Sequence, residues 1–152
     1  MLESLAQKAR SRPNWLKIKL DTSDNFIRTR KLMRSQGLNT VCEEARCPNI
    51  YECWGRQTAT IMILGDTCTR SCEFCSVKTG KPLDIDKEEP NRTAEAIKSM
   101  NLRHVVITSV DRDDLKDDYG AEIWAQTIEA IRKKTSECTI EVLTPDFRNY
   151  AP

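Results

Sequence analysis

Apolar and polar positions switch between two rhythms along this chain. Thr58-Ala59-Thr60-Ile61-Met62-Ile63-Leu64 is a short, mostly apolar run closed by Gly65-Asp66, the pattern of a buried strand. His104-Val105-Val106-Ile107-Thr108-Ser109-Val110 repeats it, and Thr139-Ile140-Glu141-Val142-Leu143 gives a third strand stopped by Pro145. Between them the period lengthens. A helix is predicted over 91–100, and an amphipathic one over 121–134, with Ile123, Ile128 and Ile131 as its buried stripe and Trp124 and Ala125 beside them. Strand, helix, strand, helix, strand predicts a parallel α/β sheet of about three strands. No helical pattern follows the third strand, so an open sheet edge is expected.

Upstream the pattern is helical and less regular. Residues 1–20 read as a loose arm with a short helix at the start, broken at Arg12-Pro13, with Trp15 as an anchor onto the body. Asp24 suits the N-cap of a helix over 25–36, which Gly37 would end. Pro48 suits the first position of a short helix through Cys53 and Trp54, with Gly55 after it.

Length and charge exclude several classes. The chain has 152 residues and a net charge of +1, so no overall bias toward nucleic acid or a membrane surface is expected. No segment approaches the ~20 apolar residues of a membrane span, and the N-terminus carries no apolar run of the secretory kind. The charge is uneven, however. Lys8, Arg10, Arg12, Lys17, Lys19, Arg28, Arg30, Lys31 and Arg34 face only Glu3, Asp21 and Asp24 within the first 34 residues. That composition suits either a solvated surface or an acidic protein partner.

The chemistry lies in the cysteines. Cys42, Cys47 and Cys53 are spaced C-x4-C-x5-C, and Cys68, Cys72 and Cys75 are spaced C-x3-C-x2-C. Seven cysteines, an odd number, without a secretory signal point to metal rather than disulfides. A structural zinc site takes four protein ligands, whereas three thiolates on a cubic iron–sulfur cluster leave one iron open. The second triplet follows the first predicted strand directly, at the end of a parallel sheet where α/β barrels keep their chemistry. The first triplet, more widely spaced, suits iron–sulfur, zinc or neither. Cys138 reads as a core residue, His104 as a structural residue at a strand end, and Met62 and Met100 as core. Asp111, Arg112, Asp113 and Asp114 form either a cofactor-facing loop or a salt-bridged turn.

C-x3-C-x2-C with Phe74 before the last cysteine resembles the radical S-adenosylmethionine enzymes. The stretch from Thr40 to Trp54 that carries the first triplet makes the resemblance one to the lipoyl synthases. Gly65-Asp66-Thr67-Cys68-Thr69-Arg70, Val77-Lys78-Thr79-Gly80, the stretch Val106 to Asp114 and Pro145-Asp146-Phe147 add to it, so that it runs from about Pro13 to Arg148. The resemblance implies an incomplete (β/α) barrel of the radical S-adenosylmethionine type behind an N-terminal, helical, cysteine-rich extension, divided at 1–57 and 58–152. It implies two 4Fe–4S clusters and S-adenosylmethionine as cofactors. Cys68, Cys72 and Cys75 would hold the cluster whose fourth iron is chelated by S-adenosylmethionine, with Phe74 beside the adenine. Cys42, Cys47 and Cys53 would hold an auxiliary cluster consumed as the sulfur source.

The reaction so implied inserts two sulfur atoms at the sixth and eighth carbons of an octanoyl group carried on a protein lysine. The implied partners are octanoylated lipoyl carrier domains (2-oxoacid dehydrogenase E2 subunits and the glycine cleavage H protein) and an electron donor such as ferredoxin or flavodoxin. No nucleic acid and no membrane is expected, and the implied location is the cytoplasm. Lipoyl synthases are about twice this long by the same resemblance, so the chain is expected to be an N-terminal half, inactive by itself, without the C-terminal serine that completes the auxiliary site in that family. The competing reading is a zinc-stabilised binding module whose basic arm recognises an acidic protein.

Overall fold

A computed structural model describes residue 13, residues 16–18, residue 20 and residues 23–149. The expected N-terminal helix, the break at Arg12 and the Trp15 anchor lie outside the described residues. The elements run α1 (Asp24–Ser35), β1 (Asn39–Thr40), α2 (Val41–Glu44), α3 (Ile50–Gly55), β2 (Thr58–Ile63), α4 (Glu89–Met100), β3 (His104–Ser109), α5 (Ala121–Lys134) and β4 (Thr139–Leu143), then a 3-10 turn at Phe147–Asn149.

The sheet has the order β1-β2-β3-β4. β2, β3 and β4 are parallel, with Thr58 opposite His104 and His104 opposite Thr139. The expected three-stranded parallel sheet is therefore present, in an α/β fold that does not close into a barrel. A fourth, antiparallel strand was not expected: Asn39 and Thr40 pair with Met62 and Ile61. Two residues carry no readable alternation, so β1 is a product of tertiary pairing, not of local pattern.

Both connections between parallel strands are helical, and α4 and α5 pack against each other. Val105 and Ile107 of β3 are wholly buried, as are Ile97 of α4 and Ile131 of α5. Burying an isoleucine of this kind contributes about 1.5–3 kcal/mol. Val106 and Thr108, on the alternate face of β3, are half-buried. At the far edge β4 is nearly bare, with Val142 and Leu143 43% and 55% exposed.

Several helix ends differ from expectation. Ser23, not Asp24, caps α1: its Oγ accepts from Phe26 N at 3.4 Å, while Asp24 sits in the first turn. Gly37 follows the helix at φ +59°, as expected. Asn49 occupies the N-cap of α3, Pro48 stands one residue before it, and the helix runs through Gly55. α4 begins at Glu89, two residues earlier than the pattern suggested, with Pro90 in its first turn. In α5 the stripe is Ile123, Trp124, Thr127 and Ile131, whereas Ile128 is half-buried and Ala125 exposed. Phe26 of α1 packs on Tyr51 and Trp54 of α3 at ring-centroid separations of 4.9 and 5.6 Å. That packing ties α3, which carries Cys53, to α1.

Candidate metal centres and the loop that carries them

β2 ends abruptly. Leu64 adopts a left-handed conformation at φ +68° and Gly65 follows at φ +95°, turning the chain off the sheet. Glu89, at the start of α4, receives Leu64 N–H at 2.7 Å and Gly65 N–H at 3.4 Å. Burial pushes this carboxyl above its ordinary range, and the two N–H donors partly offset the rise.

Cys68 is next and is fixed on several sides. Its backbone bridges to Thr79 as the chain returns, with Cys68 N to Lys78 O at 2.8 Å and Gly80 N to Cys68 O at 3.0 Å. Its sulfur accepts from Arg70 N at 3.4 Å and Asp111 N at 3.3 Å, and lies 3.8 Å from Asp111 Oδ2. Thr69 ties the loop to the end of β3: its N and Oγ1 donate to Asp111 O at 3.1 and 3.0 Å, and its Oγ1 accepts from Asp113 N at 3.1 Å.

Beyond Arg70 the loop is open. Cys72 and Cys75 are exposed, Phe74 is 93% exposed, and a backbone bond from Cys75 N to Cys72 O at 3.0 Å spans the pair. The structure thus fixes one cysteine of the second triplet and leaves two at the surface on a short turn.

In the first triplet Cys42 is buried on α2, Cys47 half-buried after it, and Cys53 half-buried on α3. Thr40 Oγ1 caps α2 by accepting from Glu43 N, and Cys47 N returns to Cys42 O. The Cys53 thiol is raised by burial first, then by the nearby Cys42 and Cys47. These thiols therefore lie within electrostatic reach of one another. Among the described residues, no three His, Cys, Asp or Glu side chains already converge at metal-binding distance.

The donor chemistry fits an iron–sulfur cluster at the second triplet. Every cysteine is a free thiol, and two backbone N–H groups aim at Cys68 Sγ, an arrangement that would stabilise a thiolate on iron. The histidine and the seventh cysteine lie elsewhere, so among nearby side chains a fourth zinc ligand at this loop would have to be a carboxylate such as Asp111, 3.8 Å from Cys68 Sγ. His104 opens β3 and Cys138 precedes β4, at the N-terminal ends of strands whose C-terminal ends face the loop. A six-residue strand separates the two ends by roughly 17–20 Å. His104 pairs with Glu141 at 3.3 Å, and Cys138 is buried in the core, both as expected.

The charged loop after β3 is a salt-bridged turn. Arg112 is buried, pairs with Asp114 at 2.8 Å and donates to Leu64 O and Leu83 O. Asp113 meets Arg70 and Arg148 together. Arg70, Arg148, Asp146 and Glu89 were not expected to matter. The available signal was an arginine between two cysteines set against an excess of carboxylates at 111–114 and 146.

Residues 62–150 match the family model of the Radical SAM superfamily. The chain belongs to the radical SAM superfamily. Residues 3–47 match a second model, the N-terminal domain of lipoyl synthase of the radical SAM family. Curated relatives named lipoyl synthase include that of Shouchella clausii, 59% identical over 137 residues, covering 90% of this chain and 44% of the relative. That of Geobacillus kaustophilus is 60% identical over 137 residues, covering 90% and 46%. That of Symbiobacterium thermophilum is 60% identical over 136 residues, covering 90% and 42%. The chain thus spans less than half the length of these relatives, and within the superfamily it is similar to the N-terminal part of lipoyl synthases. No helix among the described residues is long and apolar enough to cross a membrane.

Proposed function

We propose that this chain supplies the N-terminal, cluster-bearing part of a lipoyl synthase: a sulfurtransferase that inserts sulfur at the sixth and eighth carbons of an octanoyl group on a carrier-protein lysine. The observation that carries the reading is the C-x3-C-x2-C loop at the C-terminal end of a parallel strand, with Cys68 Sγ already receiving two backbone N–H groups. Cys68, Cys72 and Cys75 would hold the cluster that binds S-adenosylmethionine, and Phe74 would lie beside the adenine. Cys42, Cys47 and Cys53 would hold the second 4Fe–4S cluster, the source of sulfur. When bound, the first cluster with S-adenosylmethionine supplies the one-electron chemistry that unactivated C–H bonds require.

The chain's own residues have separable tasks. Leu64 and Gly65 turn the loop off the sheet, Thr69 fixes it to β3, and the 72–75 turn is free to fold inward around a cluster. The N-terminal region, 1–57, would form the auxiliary-cluster unit, and 58–152 the first part of the barrel. Its basic residues, with Lys31 and Arg34 on α1, would face the acidic carrier domain. E2 subunits and the H protein would be the carriers, ferredoxin or flavodoxin the electron donor, and the cytoplasm the location.

Anaerobic reconstitution tests the reading. The chain should turn brown and take up iron and sulfide together. Colourless protein holding only zinc would overturn it in favour of the zinc-stabilised module.

A further inference from the structure

Arg70 lies between two of the proposed ligands, yet its side chain turns away from them. Nε and Nη2 donate to both oxygens of Asp113 at 2.9 and 2.8 Å, and Nη1 and Nη2 donate to both oxygens of Asp146 at 3.0 and 2.9 Å. Asp111 lies 3.4 Å away. Two edges of the guanidinium are therefore filled by paired carboxylate bonds. Asp113 is gripped again by Arg148, through Nε at 2.9 Å and Nη2 at 2.8 Å, and Arg148 N donates to Asp146 at 3.1 Å. Arg70 has 27% of its side chain exposed and Asp113 14%, so this is not a loose surface pair.

The network joins three segments: the loop after β2, the loop after β3 and the turn after β4. It does so at the part of the cysteine loop that contacts the ends of β3 and β4. The same residue, Arg70, contributes one of the two N–H groups on Cys68 Sγ, and Asp111, two residues before Asp113, contributes the other. A guanidinium so occupied has no edge left for a substrate carboxylate.

We propose that Arg70 is a positioning residue that, through Asp113, locks the ordered half of the cysteine loop to the ends of β3 and β4 and so holds both N–H donors on Cys68 Sγ. The inference rests on reading Cys68, Cys72 and Cys75 as cluster ligands. Hydrogen bonds to a ligating sulfur favour the reduced cluster, so loosening them lowers its reduction potential. Lysine keeps the charge but lacks the planar fork and cannot pair two-by-two with both carboxylates at once.

The test uses reconstituted holoprotein: wild type, Arg70→Lys, Asp113→Asn, and Ile131→Val as a control that loosens the core away from the loop. Redox titration follows the electron paramagnetic resonance signal that changes on adding S-adenosylmethionine. Arg70→Lys and Asp113→Asn should each show a more negative midpoint and iron retention against a chelator about tenfold weaker. Ile131→Val should change neither, which separates positioning from general stability. Wild-type midpoint and retention in both loop variants would overturn this inference and leave the ligand assignment standing. Wild type that takes up no iron would overturn the ligand assignment and the inference together.

Discussion

Gly120 presses its bare α-carbon against Leu64: a β-carbon there would lie 2.5 Å from Leu64 Cδ1. Leu64 is buried, so its side chain can shift only by moving packed neighbours, and Gly120 itself sits at φ +89°. The contact joins the last residue before the cysteine-loop turn to the start of α5. Asp118 fixes the glycine by accepting from Gly120 N and Glu122 N at 2.9 and 2.8 Å. Gly120→Ala should therefore cost ~2–4 kcal/mol, from the left-handed backbone and overpacking together. Urea denaturation measures it; a loss below ~1 kcal/mol would mean that Leu64 yields easily.

Glu89 makes a pH prediction with a definite sign. Burial raises its pKa above the ordinary 4.5, with Asp86 adding to the rise and Arg92, Leu64 N–H and Gly65 N–H opposing it. The folded state then holds the proton more tightly than the unfolded chain does. Stability contributed by this group is greatest below pH 4.5 and falls as pH rises through the raised value. Glu89→Gln removes the charge, so wild type should lose stability relative to the variant between pH 4.5 and neutrality. Paired denaturation curves across that range check it. A wild-type advantage that grows with pH would show that the two N–H bonds outweigh desolvation.

The sequence made the repeated elements legible because local pattern and packing agree in them. β4 and α5 match their expected limits, and β2 and β3 end one residue short. At β2 the reason is Leu64, an apolar residue that reads as strand yet adopts φ +68° because Glu89 and Gly120 hold it there. The cysteine spacings located the candidate loop, but no local rule reveals that Cys68 is pinned while Cys72 and Cys75 stay exposed. That asymmetry comes from Asp111 and Thr69 meeting across 42 residues of chain. Likewise Arg70, Asp113, Asp146 and Arg148 converge only because three parallel strands end side by side.

His104, the only histidine, should prove dispensable for metal. It pairs with Glu141 across β3 and β4 at 3.3 Å, both side chains well exposed, at the end of the sheet away from the cysteine loop. His104→Ala should leave reconstituted iron content unchanged and shift stability by no more than about 0.5 kcal/mol. Metal analysis and denaturation of the same sample read both. Loss of iron in this variant would revive a histidine-containing metal site.

The two triplets should fail independently. Cys72 sits on the exposed turn and Cys47 follows α2, on separate elements with separate anchors: the Thr69–Asp111 contacts for one, the Phe26–Trp54 packing for the other. Removing either thiol should remove one cluster and leave the fold intact, because neither side chain contributes to the buried core. In a full-length lipoyl synthase, where the auxiliary site is complete, Cys72→Ala and Cys47→Ala should each bind about half the iron of reconstituted wild type. Function should divide along the same line when each change is made in a full-length lipoyl synthase. Cys72→Ala should abolish reductive cleavage of S-adenosylmethionine, whereas Cys47→Ala should retain cleavage and lose sulfur insertion. Deoxyadenosine release and lipoyl formation on an octanoylated carrier domain are the two readouts. Cleavage in the Cys72 variant, or lipoyl product from the Cys47 variant, would sink this division of labour.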